Sequence, residues 1–362
     1  MSKLNKVIFV IIISLISTFI LKAEESKKII PLVVYKLDTL WYFLDSDGKQ
    51  IFPPQSLVSI GGYSEGFFRV FKKIDGVDKW VYLNMKGELV ITPNCDKAKN
   101  FSERMALVMR YRDDAHDSFF YGFINTQGTQ VIPYIYTDAL DFSEGLAYVK
   151  NDEHTGYIDK TGKFVITLTD GPGASFKEDL APVLNEKNQA GFIDKKGKLV
   201  INYQFDDAGY FSEGLASVGL LGKYGYISNT GELVIPSFFD YVYPFSEGRA
   251  VVGMLDTANN VKYGLANVIG NPVINFILED IRNVSEGVCA YRTVDKWGFM
   301  DKFGKTIIDP VYDYAESFKN GLAWASKKVE DKYGFINKEG KYVILIPKSD
   351  FIVDLRLNRL VN

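Results

Sequence analysis

The sequence is poor in the residue types that most often carry chemistry. Its 362 residues include two Cys and two His. Cys95 and Cys289 lie far apart in the chain, so disulfides cannot form the framework of the fold. His116 and His154 have no cluster of Cys or His beside them. The sequence therefore predicts no metal site, no cofactor and no catalytic residues.

Charge of one sign is also not in large excess. The formal net charge is −3, and removal of residues 1–23, which hold three Lys and no acid, leaves 39 basic and 45 acidic residues, a net charge of −6. A nucleic-acid-binding protein would present a basic face, and an anionic lipid surface would attract a polybasic segment. The sequence therefore predicts neither a nucleic-acid partner nor membrane insertion after cleavage of the signal described next.

Long hydrophobic runs are confined to the N-terminus. Lys3 and Lys6 precede an apolar run from Val7 to Leu21, and Ala23 offers a small residue at a cleavage position. The run is shorter than the roughly 20 residues that a membrane-spanning helix needs. These features predict a signal peptide at residues 1–23 and an extracytoplasmic protein (periplasmic, at the cell surface or secreted), with an uncleaved N-terminal anchor as the alternative.

What the chain does contain is a repeat of about 35 residues, a period typical of repeat architectures. One copy begins at Tyr121-Gly122-Phe123-Ile124-Asn125 and continues to Phe142-Ser143-Glu144-Gly145-Leu146-Ala147. Each copy contains a turn that Asp, Asn or Ser opens and Gly closes three residues later, which is hairpin chemistry. These turns lie at Asp45/Gly48, Asn84/Gly87, Asn125/Gly128, Asp159/Gly162, Asp194/Gly197, Ser228/Gly231, Asn267/Gly270, Asp301/Gly304 and Asn337/Gly340.

Each unit is predicted to be a β-meander of three short strands. The first strand carries the aromatic-Gly pair, the second ends near Pro in most copies, and the third follows Phe-Ser-Glu-Gly-Leu-Ala. Length variation falls in the loop after the third strand, with the longest excursions at 112–118 and 257–262. Such variation marks one exposed edge of the array, where function often lies.

These residues resemble the WG repeat, also called the KWG repeat. Trp297-Gly298-Phe299-Met300-Asp301 contains the dipeptide itself, while most units have Tyr-Gly. The resemblance spans residues 41–347, although the first two units lack the Gly and the ninth runs into 350–352 without completing. It implies an extracytoplasmic or cell-envelope repeat protein of bacteria, and it supplies no catalytic residues.

The predicted fold class is all-β, a tandem array of about nine three-stranded repeats. An open solenoid is favoured because the terminal units are the most degenerate, and closure into a propeller is the alternative. The predicted organisation is a signal peptide at 1–23, an N-terminal lead-in at 24–40, the array at 41–347 and a C-terminal tail at 348–362.

Two sets of residues are candidates for function. Seven glutamates recur in the Ser-Glu-Gly element, where a structural bend, with Ser bonded to local backbone, explains them better than a cation site. The aromatic-Gly pairs are expected to face the core. Aromatic residues near the variable loops are the better ligand-surface candidates, namely Trp80, Tyr111, Phe119 and Phe120.

The favoured function is a non-catalytic scaffold that presents an extended surface to a protein or an envelope polymer. The alternatives are a carbohydrate- or peptidoglycan-binding module that uses loop aromatics, and a hydrolase with acids from adjacent repeats. The ligand and the oligomeric state are left open by the sequence.

Overall fold

The computed structural model describes residues 29–112, 117–169, 171–349, 352–355 and 359–360. Their regular structure consists of 35 β-strands in nine small sheets. In this part of the chain, no helix has the length and hydrophobicity of a membrane span. The predicted signal peptide and His116 lie outside the described residues.

The strands follow one another as antiparallel meanders, here called blades. The first strands of the described residues are β1 (Pro31–Leu37) and β2 (Leu40–Asp45). Blade 1 contains β3 (Ser59–Ser64), β4 (Phe67–Ile74), β5 (Val77–Leu83) and β6 (Leu89–Ile91). Blade 2 contains β7 (Lys97–Ser102), β8 (Met105–Tyr111), β9 (Phe119–Asn125) and β10 (Gln130–Tyr136). Blade 3 contains β11 (Asp138–Ala139), β12 (Ala147–Lys150), β13 (Thr155–Ile158) and β14 (Phe164–Leu168).

The pattern continues through the second half of the chain. Blade 4 contains β15 (Leu180–Leu184), β16 (Ala190–Asp194) and β17 (Leu199–Phe205). Blade 5 contains β18 (Asp207–Ser212), β19 (Leu215–Leu220), β20 (Lys223–Ser228) and β21 (Leu233–Phe239). Blade 6 contains β22 (Tyr241–Val242), β23 (Arg249–Leu255), β24 (Val261–Asn267) and β25 (Pro272–Leu278).

The last two complete blades precede the final strands. Blade 7 contains β26 (Asp280–Ile281), β27 (Val288–Arg292), β28 (Trp297–Asp301) and β29 (Thr306–Tyr312). Blade 8 contains β30 (Tyr314–Ala315), β31 (Ala323–Lys327), β32 (Lys332–Ile336) and β33 (Tyr342–Leu345). The chain then adds β34 (Ile352–Asp354) and β35 (Arg359–Leu360).

The ninth sheet, here called the closing blade, is built from both ends of the described chain. Its strand order is β2-β1-β34-β35, and β1 pairs antiparallel with β34 through Val34 and Val353. One core cluster packs the closing blade on blade 1, and a second packs it on blade 8 through Trp324 and Phe335. The array is therefore a closed nine-bladed propeller.

The predicted all-β repeat array is confirmed, but the favoured open solenoid is wrong, and the propeller alternative is right. The unit also has four strands, because the stretch after the second predicted strand supplies a short first strand to the next blade. Blade 4 is the exception with three strands, and the chain before it, at 167–175, has no aromatic-Asp stretch such as Phe239-Asp240. β1 lies within the segment 24–40, and β34 and β35 lie within 348–362.

The core is divided among the contacts between neighbouring blades. One cluster joins Tyr226 and Ile235 of blade 5 to Phe245 and Ala250 of blade 6, and all four side chains are buried. Equivalent clusters lie between the other blades. Cys95 lies in the connection before blade 2, and Cys289 is buried in blade 7.

The glycine of the aromatic-Gly pair permits a close approach of two backbones. A Cβ on Gly225 would lie 2.3 Å from the carbonyl oxygen of Ile235 in the neighbouring strand. The pairing register shifts at the same place, between Tyr224 and Tyr226. A bulge that admits only Gly explains why this residue recurs in the sequence.

The Ser-Glu-Gly bends tie neighbouring blades together through hydrogen bonds from amides of the next bend to the Glu carboxylate, an arrangement here called the clamp. The Glu213 carboxylate accepts hydrogen bonds from the amides of Glu247 (2.6 Å) and Gly248 (2.8 Å) in the next blade. The Ser212 hydroxyl donates to the Phe245 carbonyl at 2.8 Å rather than to local backbone as expected. The same inter-blade hydrogen bonding of the carboxylate recurs for Glu65, Glu103, Glu144, Glu178, Glu247 and Glu286.

The clamp also explains why the eighth bend carries Asn320 instead of Glu. The next blade in the ring is the closing blade, in which β34 and β1 are not joined by a bend. The carboxylate at this position would therefore lack the pair of bend amides that it binds elsewhere. Asn is favoured over Glu in the left-handed conformation observed there, with φ of 56°.

Replacing Glu213 by Ala is expected to reduce the free energy of unfolding by about 1–2 kcal/mol, since two charge-assisted hydrogen bonds are lost at an exposed site. Glu213→Gln keeps the length of the side chain and should lose less. Urea denaturation measures both, with the exposed Glu232→Ala of the neighbouring turn as control. An unchanged midpoint for Glu213→Ala would remove the stabilising role of the clamp.

Candidate binding surface on the loop face

The meander places two kinds of connection on opposite faces of the ring. The Ser-Glu-Gly bends join first to second strands, and the Asx turns join third to fourth strands, so both lie on one face. The hairpins between second and third strands and the links between blades lie on the other, here called the loop face. The hairpins β8–β9 and β23–β24, which carry the longest excursions predicted from the sequence, both lie on the loop face.

Blade 2 presents a stacked pair of aromatic rings at the end of its β8–β9 hairpin. Tyr111 and Phe119 lie opposite each other in the register, with ring centroids 4.7 Å apart and planes 27° apart. The Lys97 ammonium lies 4.4 Å from the centroid of Phe119. Both rings are half-buried, so each keeps part of its surface in solvent.

Two arginines extend this cluster on the same hairpin. The Arg112 guanidinium lies 4.7 Å from the Phe120 ring, and the Arg110 guanidinium lies 4.9 Å from the Tyr134 ring. Arg110 also donates to the Asn94 carbonyl at 3.1 Å. The blade 2 patch is defined here as Lys97, Arg110, Tyr111, Arg112, Phe119 and Phe120.

Trp80 is in blade 1, and its ring is packed against other side chains of the same blade. The Arg69 guanidinium lies 4.7 Å from its ring, and Phe71 packs against it with centroids 5.0 Å apart. Arg69 in turn donates to Asn100 at 2.8 Å. Its burial lowers the pKa of Arg69 from the ordinary value. The structure thus gathers Tyr111, Phe119 and Phe120 on one hairpin and places Trp80 on the neighbouring blade.

The basic members of the patch were missed at the sequence level. Arg110 and Arg112 flank Tyr111 in an alternating pattern, which puts both cations on one side of a strand and the ring on the other. That alternation would have been enough to predict that the two arginines lie together. Lys97 could not be found in this way, because it comes from β7, and only the sheet brings it to Phe119.

Ionisable groups near the patch are held in unreactive states. Burial, with a smaller contribution from Asp96, raises the pKa of the Cys95 thiol to about 12. Burial likewise raises the pKa of Tyr134 to about 12. A thiol with so high a pKa carries almost no thiolate near neutral pH, and thiolate is the reactive form.

The repeated acids do not converge on a pocket. The Glu103 carboxylate binds the Gly145 amide at 2.9 Å and the Lys160 ammonium at 3.1 Å. Partial burial acts to raise the pKa of Glu103. The hydrogen bonds to the Lys160 ammonium and the Gly145 amide act in the opposite direction and outweigh it, so the pKa of Glu103 is below its usual value. Within the described ranges, no group of three or more His, Cys, Asp or Glu could hold a metal ion.

Comparison with solved structures shows the fold. The crystal structure of the eukaryotic initiation factor aligns with a TM-score of 0.63 at 10% identity, covering 92% of this chain and 97% of that one. BamB from Moraxella catarrhalis aligns with a TM-score of 0.38 at 13% identity, covering 66% of this chain and 82% of that one. None of the curated proteins that were compared with this chain matches it.

The sequence model of the WG containing repeat matches six segments of the chain. They are residues 80–110, 121–153, 191–224, 224–254, 263–297 and 297–328. Each runs from the third strand of one blade to the second or third strand of the next, so the sequence repeat straddles two blades. Because these segments together cover more than half of the 362 residues, the chain belongs to the WG repeat family.

Proposed function

We propose that this protein is an exported, non-catalytic binding protein that uses its loop face to hold a protein or a cell-envelope polymer. The repeat propeller is a rigid support, since apolar clusters join neighbouring blades around the ring and the bends also join blades 1 to 8. The longest of the loops that vary between units lie on one face of that support. A constant framework with one variable face is the arrangement expected of a binding scaffold.

The observation that carries the proposal is the blade 2 patch. Three cations and three half-buried aromatic rings lie at the loop-face end of one hairpin, in two groups: Lys97 with Tyr111 and Phe119 on one side of the sheet, and two arginines with Phe120 on the other. Arg and aromatic residues are enriched at the energetically dominant centres of protein interfaces. Among the described residues, Lys97, Arg110 and Arg112 outnumber the neighbouring acids Asp96 and Asp117, and this excess of positive charge favours an acidic segment of the partner.

The absence of catalysis is part of the proposal and rests on how the acids are used. The repeated glutamates bind backbone amides of the next bend, so their oxygens are engaged in the framework. A hydrolase would need two carboxyl groups that face each other across a substrate.

A carbohydrate- or peptidoglycan-binding module is the second candidate, and the stacked pair favours it. Tyr111 and Phe119 stack on each other with centroids 4.7 Å apart, and Lys97 lies over Phe119, so the half-buried Tyr111 is the ring that a sugar would contact. An amphipathic aromatic surface of this kind can pack on the apolar face of a sugar ring. The two candidates differ in whether the cations or the rings provide most of the affinity.

The test is affinity capture from the native cell envelope on immobilised residues 24–362, with proteins and glycans both identified. Removing the cations by Lys97→Ala, Arg110→Ala and Arg112→Ala together should reduce capture of a saturable protein partner by about tenfold or more. The matched control removes three exposed cations from the opposite face, by Lys163→Ala, Lys196→Ala and Lys198→Ala.

The outcomes separate the candidates. Loss of a protein partner with the patch variant, and not with the control, supports the protein-binding function. Retention of glycan alone, abolished by Tyr111→Ala with Phe119→Ala, supports the carbohydrate module. Equal capture by wild type, patch variant and control variant would refute the loop face of blade 2 as the binding surface.

A further inference from the structure

A second site lies on the loop face about half-way round the ring, between blades 5 and 6. It is an open cavity of about 440 Å³. Its lining includes Asp207, Ser217, Tyr224, Asp240 and Leu255. The cavity therefore combines carboxylates, a hydroxyl and the aromatic ring of Tyr224 with an apolar edge.

The two carboxylates of the cavity are held differently. The Asp240 carboxylate accepts from the Lys223 ammonium at 2.6 Å and from the Leu255 amide at 3.0 Å. The exposed Asp207 carboxylate accepts from the neighbouring Ala208 amide at 2.8 Å and from the Tyr224 hydroxyl at 3.3 Å. Asp207 is thus the carboxylate that is open to pairing with an incoming cation, since Asp240 already pairs with Lys223.

The charge and the ring of the cavity favour a cation. Asp207 and Asp240 line the cavity and Lys223 pairs with Asp240, so the remaining negative charge is that of Asp207. The half-buried ring of Tyr224 lies beside the Asp207 carboxylate in the cavity, whereas Tyr241 and Tyr243 face the other side of blade 6, where Tyr243 contacts Tyr263. Tyrosine faces attract guanidinium and ammonium groups, and a nearby carboxylate strengthens that attraction.

Beside the cavity, the hairpin tip carries a residue that the fold does not favour. Leu221 and Gly222 form a two-residue turn between β19 and β20, with φ of 52° and 76°. Such a turn favours Asn-Gly or Asp-Gly, because both central residues have positive φ. Leu221 is also 95% exposed, so it gains no burial in return for its backbone strain.

The other blades show what this position requires. The equivalent two-residue turn of blade 1 is Asp75-Gly76, with φ of 50° and 82°. The left-handed residues in the hairpins of the closing blade and blades 4, 6 and 8 are Asp38, Asn188, Asn259 and Asp331. Nothing in the fold explains an exposed leucine at this position. An apolar contact between Leu221 and a partner would explain it.

We propose that the cavity between blades 5 and 6 receives an arginine or lysine side chain of a protein partner, with Leu221 packing on an apolar neighbour of that side chain. This inference rests on the proposed function only in taking the loop face as the binding face. The proposed partner segment at this cavity is basic and partly apolar, and it is separate from the acidic segment expected at blade 2. Asp207 pairs with the cation, the Tyr224 ring covers its stem, and Leu221 binds beside it.

The test titrates wild-type residues 24–362 with the peptide acetyl-Gly-Leu-Arg-Leu-Gly-amide, followed by NMR. We expect saturable shifts at the amides around Asp207 and Leu221. The same peptide with neutral citrulline in place of arginine should bind about tenfold more weakly. N-acetylarginine methylamide, which lacks the leucines, should also bind more weakly than the peptide.

Three variants complete the design. Asp207→Asn should weaken the arginine peptide to the level of the citrulline peptide, whereas the matched Asp138→Asn of blade 3, at the same strand position, should leave binding unchanged. Leu221→Asn should remove the advantage of the peptide over N-acetylarginine methylamide. It should also raise the thermal midpoint, because Asn suits the turn, so weaker binding cannot then be a folding defect.

Several outcomes would overturn the inference. Equal binding of the citrulline peptide would exclude the cation, and binding unchanged by Asp207→Asn would exclude the cavity. Equal binding of N-acetylarginine methylamide would identify a site for small cations instead of a partner segment. Any of these results leaves the capture experiment at blade 2 standing, so failure here is distinguishable from failure of the proposed function.

Discussion

Ile352→Asp is expected to open the ring and to destabilise the whole protein by about 4 kcal/mol or more. Ile352 is fully buried in β34, where it packs with Leu32 and Trp324. The substitution removes a core side chain and buries a carboxylate among apolar neighbours. Because β34 joins the end of the chain to β1, the damage falls on the contact that closes the ring.

Urea denaturation and small-angle X-ray scattering measure the two consequences. The unfolding midpoint should fall, and the radius of gyration should rise before complete unfolding as the ring opens. Val343→Asp is the control, since Val343 lies on the outer strand β33 and is 52% exposed. Unchanged dimensions, with loss of signal from the closing blade alone, would contradict a ring whose stability depends on closure.

Gly225→Ala is expected to reduce the free energy of unfolding by about 3 kcal/mol, because the added methyl group has nowhere to go. Its Cβ would lie 2.3 Å from the Ile235 oxygen and 2.8 Å from the carbonyl carbon of Pro236. These are backbone atoms of the paired strand, and they cannot move aside as a flexible side chain could. The bulge between β20 and β21 would have to break.

The matched control is Gly248→Ala in the next bend. Gly248 has φ of 75° but no heavy atom within 4 Å of the added Cβ, so that variant carries backbone strain alone. A cost of about 1 kcal/mol is expected for it. Thermal and urea denaturation of both variants provide the comparison. If the two variants were destabilised equally, the strand glycine would be needed for its backbone freedom and not for close approach.

The local structure was predictable because it is local. The Asx turns follow from Asp or Asn and Gly three residues apart, and Asp194 accepts from the amides of Lys196 and Lys198 as that chemistry requires. The strand glycines were also identified correctly as points of close approach. Repetition made both assignments secure, since the same demand appears in unit after unit.

Closure was not predictable in the same way. Each unit specifies how one blade packs on the next, but the sequence does not give the small rotation per blade that decides between a ring and a superhelix. The ninth unit looked incomplete because its missing strands, β1 and β2, are at the other end of the chain. Asn320 in place of Glu is a sequence feature that reflects closure, but it can be interpreted only once the clamp is known from the structure.

The candidate surface was predictable in part. Tyr111, Phe119 and Phe120 were identified from their place beside a variable loop, and the structure puts them on one hairpin. Whether they bind a ligand stays a prediction. The cavity between blades 5 and 6 had no sequence signal, because Asp207 and Asp240 belong to consecutive blades and meet only through packing. Leu221 could not be identified as unusual from the sequence, because its positive φ and its exposure are known only from the structure.

The closing blade also has a consequence for the order of folding. Ser349 donates a hydrogen bond to the Lys36 carbonyl across 313 positions, whereas the pairs inside blades 1 to 8 join neighbouring segments. Local meanders form quickly, and contacts of such long sequence separation form slowly. Closure should therefore be the last step. Until it occurs, the apolar faces that Trp324 and Phe68 present to the closing blade remain uncovered, and a nascent chain is then most open to capture by a chaperone or by another copy of itself.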